Sequence, residues 1–228
     1  MALEPRMFSS RLLALACGLL VAISAWAMVE EGAALSWPGR DDLSRARGLA
    51  DKDAIPGLAI ATQRQVLNTC YRLYYFRPQF DFLLLPDEER RTIAMSCERL
   101  AGAAGEQNPF FSFAFMVRAF AAADLDHVDV LNDSIVRSQA AAPNEQWIAI
   151  PRVQIAADRV ADLSDEALAA HQQDLRLLAS NYIGTGVLAK RYAADEDFRE
   201  RIVSVVETMA PVQQRTFLRR VEEALSAR

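Results

Sequence analysis

The chain contains few of the side chains that usually carry catalysis or bind metal ions. Its 228 residues include two histidines and three cysteines, and no C-x-x-C or H-E-x-x-H pattern occurs. Dense acidic clusters are also absent, so the sequence predicts no zinc or calcium site and no cofactor. A G-x-S-x-G turn and a glycine-rich phosphate loop are missing as well. We therefore expect a protein that is not an enzyme.

Basic runs and strand patterns are scarce too. The formal net charge is −5, and the basic residues form no long run. Proteins that bind nucleic acid carry basic patches or stripes, so nucleic acid is not expected among the partners. The alternation of apolar and polar residues that marks strands is almost absent. Because a hydrophobic content of 52% argues against disorder, we predict a folded, all-α chain.

One long apolar run stands out against this background. Residues 12–29 carry no charge, with Arg6 and Arg11 before them and two glutamates after them. A helix of this length reaches about 27 Å, close to the ~30 Å of a hydrocarbon core. Arginines before the run favour an amino terminus in the cytoplasm. We expect a bacterial inner-membrane protein with a cytoplasmic tail over 1–11 and a transmembrane signal anchor over 12–29.

A cleaved signal peptide is the alternative interpretation of the same run. Ala25-Trp26-Ala27 matches the small-residue pattern that precedes a signal peptidase cut. Met28 and Val29 prolong the apolar run past that point, and Trp26 stands where an interfacial aromatic side chain belongs. These features favour the anchor. Both interpretations place the rest of the chain outside the cytoplasm, in the periplasm.

Two cysteines follow the apolar run. Cys70 shares a predicted helix face with Val66 and Leu73, and Cys97 lies on the apolar face of the next predicted helix. Two antiparallel neighbouring helices can bring such positions together. In an oxidising compartment an even pair of this kind indicates one disulfide. Two separate buried thiols are the alternative.

The rest of the sequence divides into a linker and a helical domain. Residues 30–53 are polar and contain the breaker Trp37-Pro38-Gly39, which predicts a linker with room for one short helical turn. Residues 54–228 show helical spacing of apolar residues, and Gly184 and Gly186 are predicted to stop one helix. Four prolines are predicted to open helices: Pro56, Pro86, Pro109 and Pro143. Eight or so helices with short connections predict an extracytoplasmic domain of stacked antiparallel hairpins.

The helix predicted after Asn108 is apolar on nearly all sides. It is rich in phenylalanine, and Arg118 is its exception. At about 14 residues it is too short to span a membrane a second time. A central helix covered by its neighbours explains this composition, and an exposed surface that holds a partner is the alternative.

A repeat of 34 residues separates Pro109 from Pro143, and Ala119 and Ser138 occupy small-residue positions of the same frame. With the helix junction from Ala140 to Trp147, residues 108–160 resemble tetratricopeptide-type helical hairpins. Arg118 and Leu131 depart from the pattern of that family. The resemblance implies a helical solenoid that holds another protein. Generic hairpins with the same proline spacing are the alternative.

Five residues are candidates for contact with a partner: Phe110, Phe113, Arg118, Trp147 and Arg152. The two arginines stand in apolar stretches, where a guanidinium can pair with a partner's carboxylate or an anionic sugar, or lie along the core. We expect a non-catalytic scaffold or accessory protein that binds a partner protein. Assembly or export of envelope material such as polysaccharide is the proposed setting, and the oligomeric state stays open.

A ligand-binding or enzymatic site built from dispersed residues is the second hypothesis. The aromatic loop from Tyr74 to Phe82 supplies its candidates, Arg77 and Asp81. A deep cleft that holds both residues and a histidine would favour an enzyme, whereas a shallow apolar groove would favour a binding protein.

Overall fold

The computed structural model describes residues 5–35, 41–51, 54–75 and 80–226. Within these ranges all regular structure is helical, which confirms the predicted all-α class. The α-helices are α1 Pro5–Leu35, α2 Asp42–Asp51, α3 Ile60–Tyr74, α4 Phe80–Leu83, α5 Asp87–Gln107, α6 Ser112–Asp124, α7 Val128–Ala141, α8 Gln146–Asp158, α9 Asp165–Ala179, α10 Tyr182–Ala194, α11 Glu196–Val206 and α12 Pro211–Ser226. One 3₁₀-helix, Val160–Asp162, precedes α9.

The apolar run forms the exposed part of α1. Its 24 residues from Leu12 to Leu35 are long and apolar enough to cross a membrane, and none of the most apolar stretch is buried in the protein. Trp26 is 54% exposed near the end of the uncharged run. The chain therefore has the predicted apolar helix near its amino terminus.

The segment predicted as a linker differs from that expectation. Residues 42–51 form α2, and Ala46 and Leu49 on this helix are fully buried. Asp41 accepts a hydrogen bond from the backbone N–H of Ser44 at 2.7 Å and caps the helix. The apolar residues recur every three positions among charged ones, so α2 packs one narrow stripe against α3 and α5. The breaker Trp37-Pro38-Gly39 lies outside the described residues.

The predicted disulfide is present. Cys70 of α3 and Cys97 of α5 are bonded, with their Cα atoms 5.8 Å apart and both side chains fully buried. The two helices pack against each other, as the shared apolar faces predicted. The bond fixes α3 to α5 near the centre of the first hydrophobic core.

The phenylalanine-rich helix α6 is the centre of that first core. Every residue from Ser112 to Ala123 is buried except Arg118, and α6 contacts α3, α5, α7 and α8. Gly105 of α5 lets the Phe115 ring approach closely, because a Cβ atom there would lie 2.5 Å from the ring. The interpretation of α6 as a covered central helix is confirmed.

A second hydrophobic core is built from the five consecutive helices α8, α9, α10, α11 and α12. Phe198, Ile202 and Phe217 are its largest buried side chains, and α8 and α9 contribute residues to both cores. Gly184 and Gly186 lie inside α10 and do not stop a helix. Asn181 caps α10 through the Gly184 N–H at 2.7 Å, and a Cβ at Gly184 would meet the Leu178 carbonyl. Close approach to the end of α9 is thus the reason for this glycine.

Three of the four prolines precede their helices by a short turn. Pro86 lies directly before α5, whereas α3, α6 and α8 begin three or four residues after Pro56, Pro109 and Pro143. After Pro109 the Phe111 N–H donates to the Asn108 carbonyl at 2.9 Å, which closes a turn before the first turn of α6.

Candidate functional site

A cleft brings together three of the residues selected from the sequence. Phe110 lies in the turn before α6, Phe113 in its first turn, and Trp147 in the first turn of α8. The rings of Phe113 and Trp147 lie 6.1 Å apart, and all three residues line a cleft of about 440 Å³. Phe110 is 88% exposed and Trp147 is 48% exposed, whereas Phe113 is buried beneath them.

Arg64 of α3 supplies a positive charge to the same cleft. Its guanidinium carbon lies 5.5 Å from the centre of the Trp147 ring and 6.0 Å from that of Phe111. These contacts orient the guanidinium by cation–π attraction while its side chain stays exposed. Arg64 has no carboxylate partner within salt-bridge distance in the described part of the chain. No pattern in the sequence singled out this residue.

Glu145 supplies the opposite charge at the rim. Its carboxylate accepts a hydrogen bond from the Trp147 indole N–H at 3.1 Å, which fixes the direction of the ring. The cleft therefore combines exposed aromatic surface, one guanidinium and one carboxylate. Such a surface can hold a mixed apolar and charged segment of another molecule.

A buried polar network adjoins the cleft through two of its lining residues, Ser112 and Ala142. Arg152 of α8 donates two hydrogen bonds of 2.7 Å to the carboxylate of Asp174 of α9. The same guanidinium donates to the carbonyls of Ser138 at 3.0 Å and Ala142 at 3.2 Å. Ser112, which lines the cleft, donates to the Ser138 carbonyl at 2.7 Å. The network thus joins α6, α7, α8 and α9.

This network corrects the expectation that Arg152 contacts a partner. Its side chain is 0% exposed and Asp174 is 1% exposed, so neither charge reaches a surface. Burial raises the pKa of Asp174, and the hydrogen bonds and charge of Arg152 oppose that rise. Arg152 therefore supports two lining residues of the cleft, Ser112 and Ala142, from within the protein.

Arg118 also lies apart from the cleft. Its guanidinium donates to Asp133 of α7 at 3.3 Å, and its stem packs on Gly102 of α5. About a quarter of the side chain is exposed. Arg118 therefore bridges α5, α6 and α7, and its position does not join it to Phe110 and Trp147.

Two of the residues of the enzyme hypothesis lie wholly or partly outside what the structure describes. Arg77 lies outside the described residues, and the same holds for the side chain of Asp81. His171 is 2% exposed, and neither of its ring nitrogens has a hydrogen-bond partner in the described structure. Burial, together with the charges of Arg201 and Arg191, lowers the pKa of His171 to about 4. The described residues contain no group of three or more His, Cys, Asp or Glu side chains that could hold a metal ion.

No known protein family, curated protein or solved structure matches the chain.

Proposed function

We propose that this chain is a membrane-anchored, non-catalytic scaffold that binds a partner protein outside the cytoplasm. The observation that carries the proposal is the cleft in which Phe110, Trp147 and Arg64 meet on a helical domain attached to an apolar helix. Tryptophan and arginine dominate the binding energy of many protein interfaces. Bacterial envelope assembly or export, with polysaccharide as one cargo, is the setting that we propose.

The anchor interpretation draws support from the continuity of α1. This helix runs through the alternative cleavage position after Ala27 and ends at Leu35, where Ala34 is buried in the domain. The Cys70–Cys97 disulfide supports an oxidising compartment. Mass spectrometry of the mature amino terminus separates the two interpretations, because an anchor retains residues 1–27 and a signal peptide loses them.

The arrangement of helical hairpins supports a role in holding another protein. Helices α6 and α8 begin at Ser112 and Gln146, which are 34 residues apart. Each pairs with the helix that follows it, and α7 also contacts α9. This spacing and pairing support the proposed resemblance to tetratricopeptide-type hairpins, which hold other proteins and have no chemistry of their own.

In-cell photo-crosslinking tests partner binding. A photo-reactive amino acid is placed at Phe110 or Trp147 of the full chain in native membranes, and a third variant carries it at Leu84. Leu84 is 67% exposed and belongs to the loop after α4, so it serves as an exposed apolar control outside the cleft. We expect the same partner to be captured from positions 110 and 147 and not from 84. Arg64→Ala should reduce the yield about tenfold or more.

The proposal fails under two defined results. Capture of the same proteins from position 84 would show that the cleft has no preference. Absence of any reproducible adduct from 110 and 147, with the variant proteins present at normal levels in the membrane, would show that the cleft holds no partner protein.

A further inference from the structure

The apolar helix α1 joins the domain through a short and rigid contact. Glu31 accepts hydrogen bonds from the backbone N–H groups of Leu58 at 2.8 Å and Ala59 at 2.6 Å, just before α3 begins. Ala34, one turn further along α1, is fully buried in the first core. Because α1 is continuous to Leu35, the apolar run and the two residues that contact the domain, Glu31 and Ala34, belong to one helix.

The position of this contact sets the height of the domain above a bilayer. Glu31 follows the last uncharged residue of the run, Val29, by two positions, or about 3 Å along the helix axis. Leu58 is hydrogen-bonded to Glu31, so its backbone lies within roughly 10 Å of the level of Val29. A lipid headgroup layer is about 5–7 Å thick on each side of the hydrocarbon core. Leu58 therefore lies in the headgroup layer or within roughly 5 Å of it when α1 spans the bilayer.

A chain of polar contacts brings the cleft to the same end of the domain. The side-chain amide of Gln63 donates to the Gly57 carbonyl at 3.1 Å, next to Leu58 in sequence. The Asn108 amide donates to Gln63 at 2.9 Å, and Phe110 follows two residues later. Phe110 and the end of α1 thus share one end of the molecule.

This end exposes three large apolar side chains. Leu58 is 43% exposed, Ile60 is 49% exposed and Phe110 is 88% exposed. We call these three residues the membrane-proximal patch. Trp147 and Arg64, which line the cleft beside Phe110, add an aromatic ring and a guanidinium, a combination that suits a membrane interface.

We propose that the membrane-proximal patch rests in the lipid headgroup layer, with Leu58 and Ile60 inserted toward the hydrocarbon and Phe110 at the rim of the cleft, where lipid and a bound partner protein meet. The inference rests on the proposed anchor and adds that the domain lies against the bilayer. Leu58 and Ile60 do not line the cleft, so lipid can cover them while the cleft holds a partner protein. The cleft then opens at the membrane surface.

Spin-label depth measurements test whether the membrane-proximal patch rests in the headgroup layer. The full chain with Cys17→Ser is reconstituted into phosphatidylcholine vesicles, which carry no net charge, and a label is placed at 58, 60, 110, 20 or 84. Leu84, across the length of α3 from Leu58, is the matched control with the same residue type and 67% exposure. Labels at 58, 60 and 110 should be several-fold less accessible to a water-soluble nickel complex than the label at 84, and oxygen should reach them readily. The label at 20 should be deeper still.

Each outcome decides between the two claims. One outcome is that the labels at 58, 60 and 110 are as accessible to nickel as the label at 84, while the label at 20 is deep. The proposed position of the patch in the headgroup layer is then wrong, and the proposed anchor stands. If nickel reaches the label at 20, both the anchor and the position of the patch in the headgroup layer are wrong. If the patch is shielded from both nickel and oxygen, protein covers it, and its proposed position in the headgroup layer is also wrong.

Discussion

Removal of one charge from the Arg152–Asp174 pair should destabilise the domain strongly. Asp174→Asn keeps the shape of the side chain but leaves the Arg152 guanidinium, which is 0% exposed, without an opposite charge. Breaking a buried ion pair by removing one partner costs about 3–5 kcal/mol, because an uncompensated charge stays in the interior. We expect the free energy of unfolding to fall by about that amount.

The contacts of the guanidinium explain why the loss is not repaired. Two of its hydrogen bonds, each 2.7 Å long, go to the Asp174 carboxylate. Its remaining bonds go to the carbonyls of Ser138 and Ala142 and to the hydroxyls of Ser112 and Ser138, which supply dipoles and no charge. With both residues replaced, as in Arg152→Met with Asp174→Leu, no charge is left buried. The double variant should therefore be within about 2 kcal/mol of the original protein, or more stable.

Thermal unfolding of the detergent-extracted full chain, followed by circular dichroism, measures these differences. For a domain of this size each kcal/mol shifts Tm by about 2–4 °C, so Asp174→Asn should lower Tm by roughly 6–20 °C. A loss below about 1 kcal/mol, or a double variant as unstable as the single one, would refute the reasoning from burial.

Three further predictions concern the interior. Gly105→Ala should lower the free energy of unfolding in urea by about 1–3 kcal/mol, because the added Cβ would lie 2.5 Å from a ring of α6. Gly186→Ala is the control: its Cβ meets open space, so the change should be neutral or stabilising. Equal effects of the two substitutions would contradict this prediction. Burial lowers the pKa of His171 to about 4, so its contribution to stability is complete above pH 6.5 and is lost as the pH falls toward 4. Relative to His171→Leu, the original protein should lose about 3 kcal/mol over that range, and a difference that does not change with pH would count against it. Replacement of Cys70 and Cys97 by alanine opens a link between residues 27 apart and should cost about 3–4 kcal/mol in the same assay; unchanged stability would disprove that role.

The elements with strong periodic signals were predictable from the sequence. The uncharged run of α1, the apolar α6 and the helix faces of Cys70 and Cys97 each carry a local pattern that survives in the structure. Helix α2 was missed because two fully buried residues, Ala46 and Leu49, stand among charged ones in a ten-residue segment. Gly184 was misread because its reason is a contact with the end of α9, which no local pattern reveals.

The cleft was predictable only in part. Phe110 was selected as part of the apolar helix predicted after Asn108, and Trp147 as part of the helix junction in the 34-residue repeat; α6 and α8 lie side by side in the structure. Arg64 comes from α3, where it is one exposed arginine among several, so its contact with Trp147 depends on tertiary packing. For Arg152 the sequence indicated an unusual charge in an apolar helix, but its partner Asp174 lies 22 residues away on another helix.

The backbone of α1 is helical without a break from the apolar run to Glu31. It therefore also fixes the direction in which the cleft faces around the axis of α1. In an α-helix each residue turns the chain by about 100° and raises it by about 1.5 Å. One residue added to α1 before Glu31 would swing the whole domain around the axis of α1 by over a quarter of a turn. The register of this helix therefore determines which face of the apolar run lies on the same side as Phe110 and Trp147.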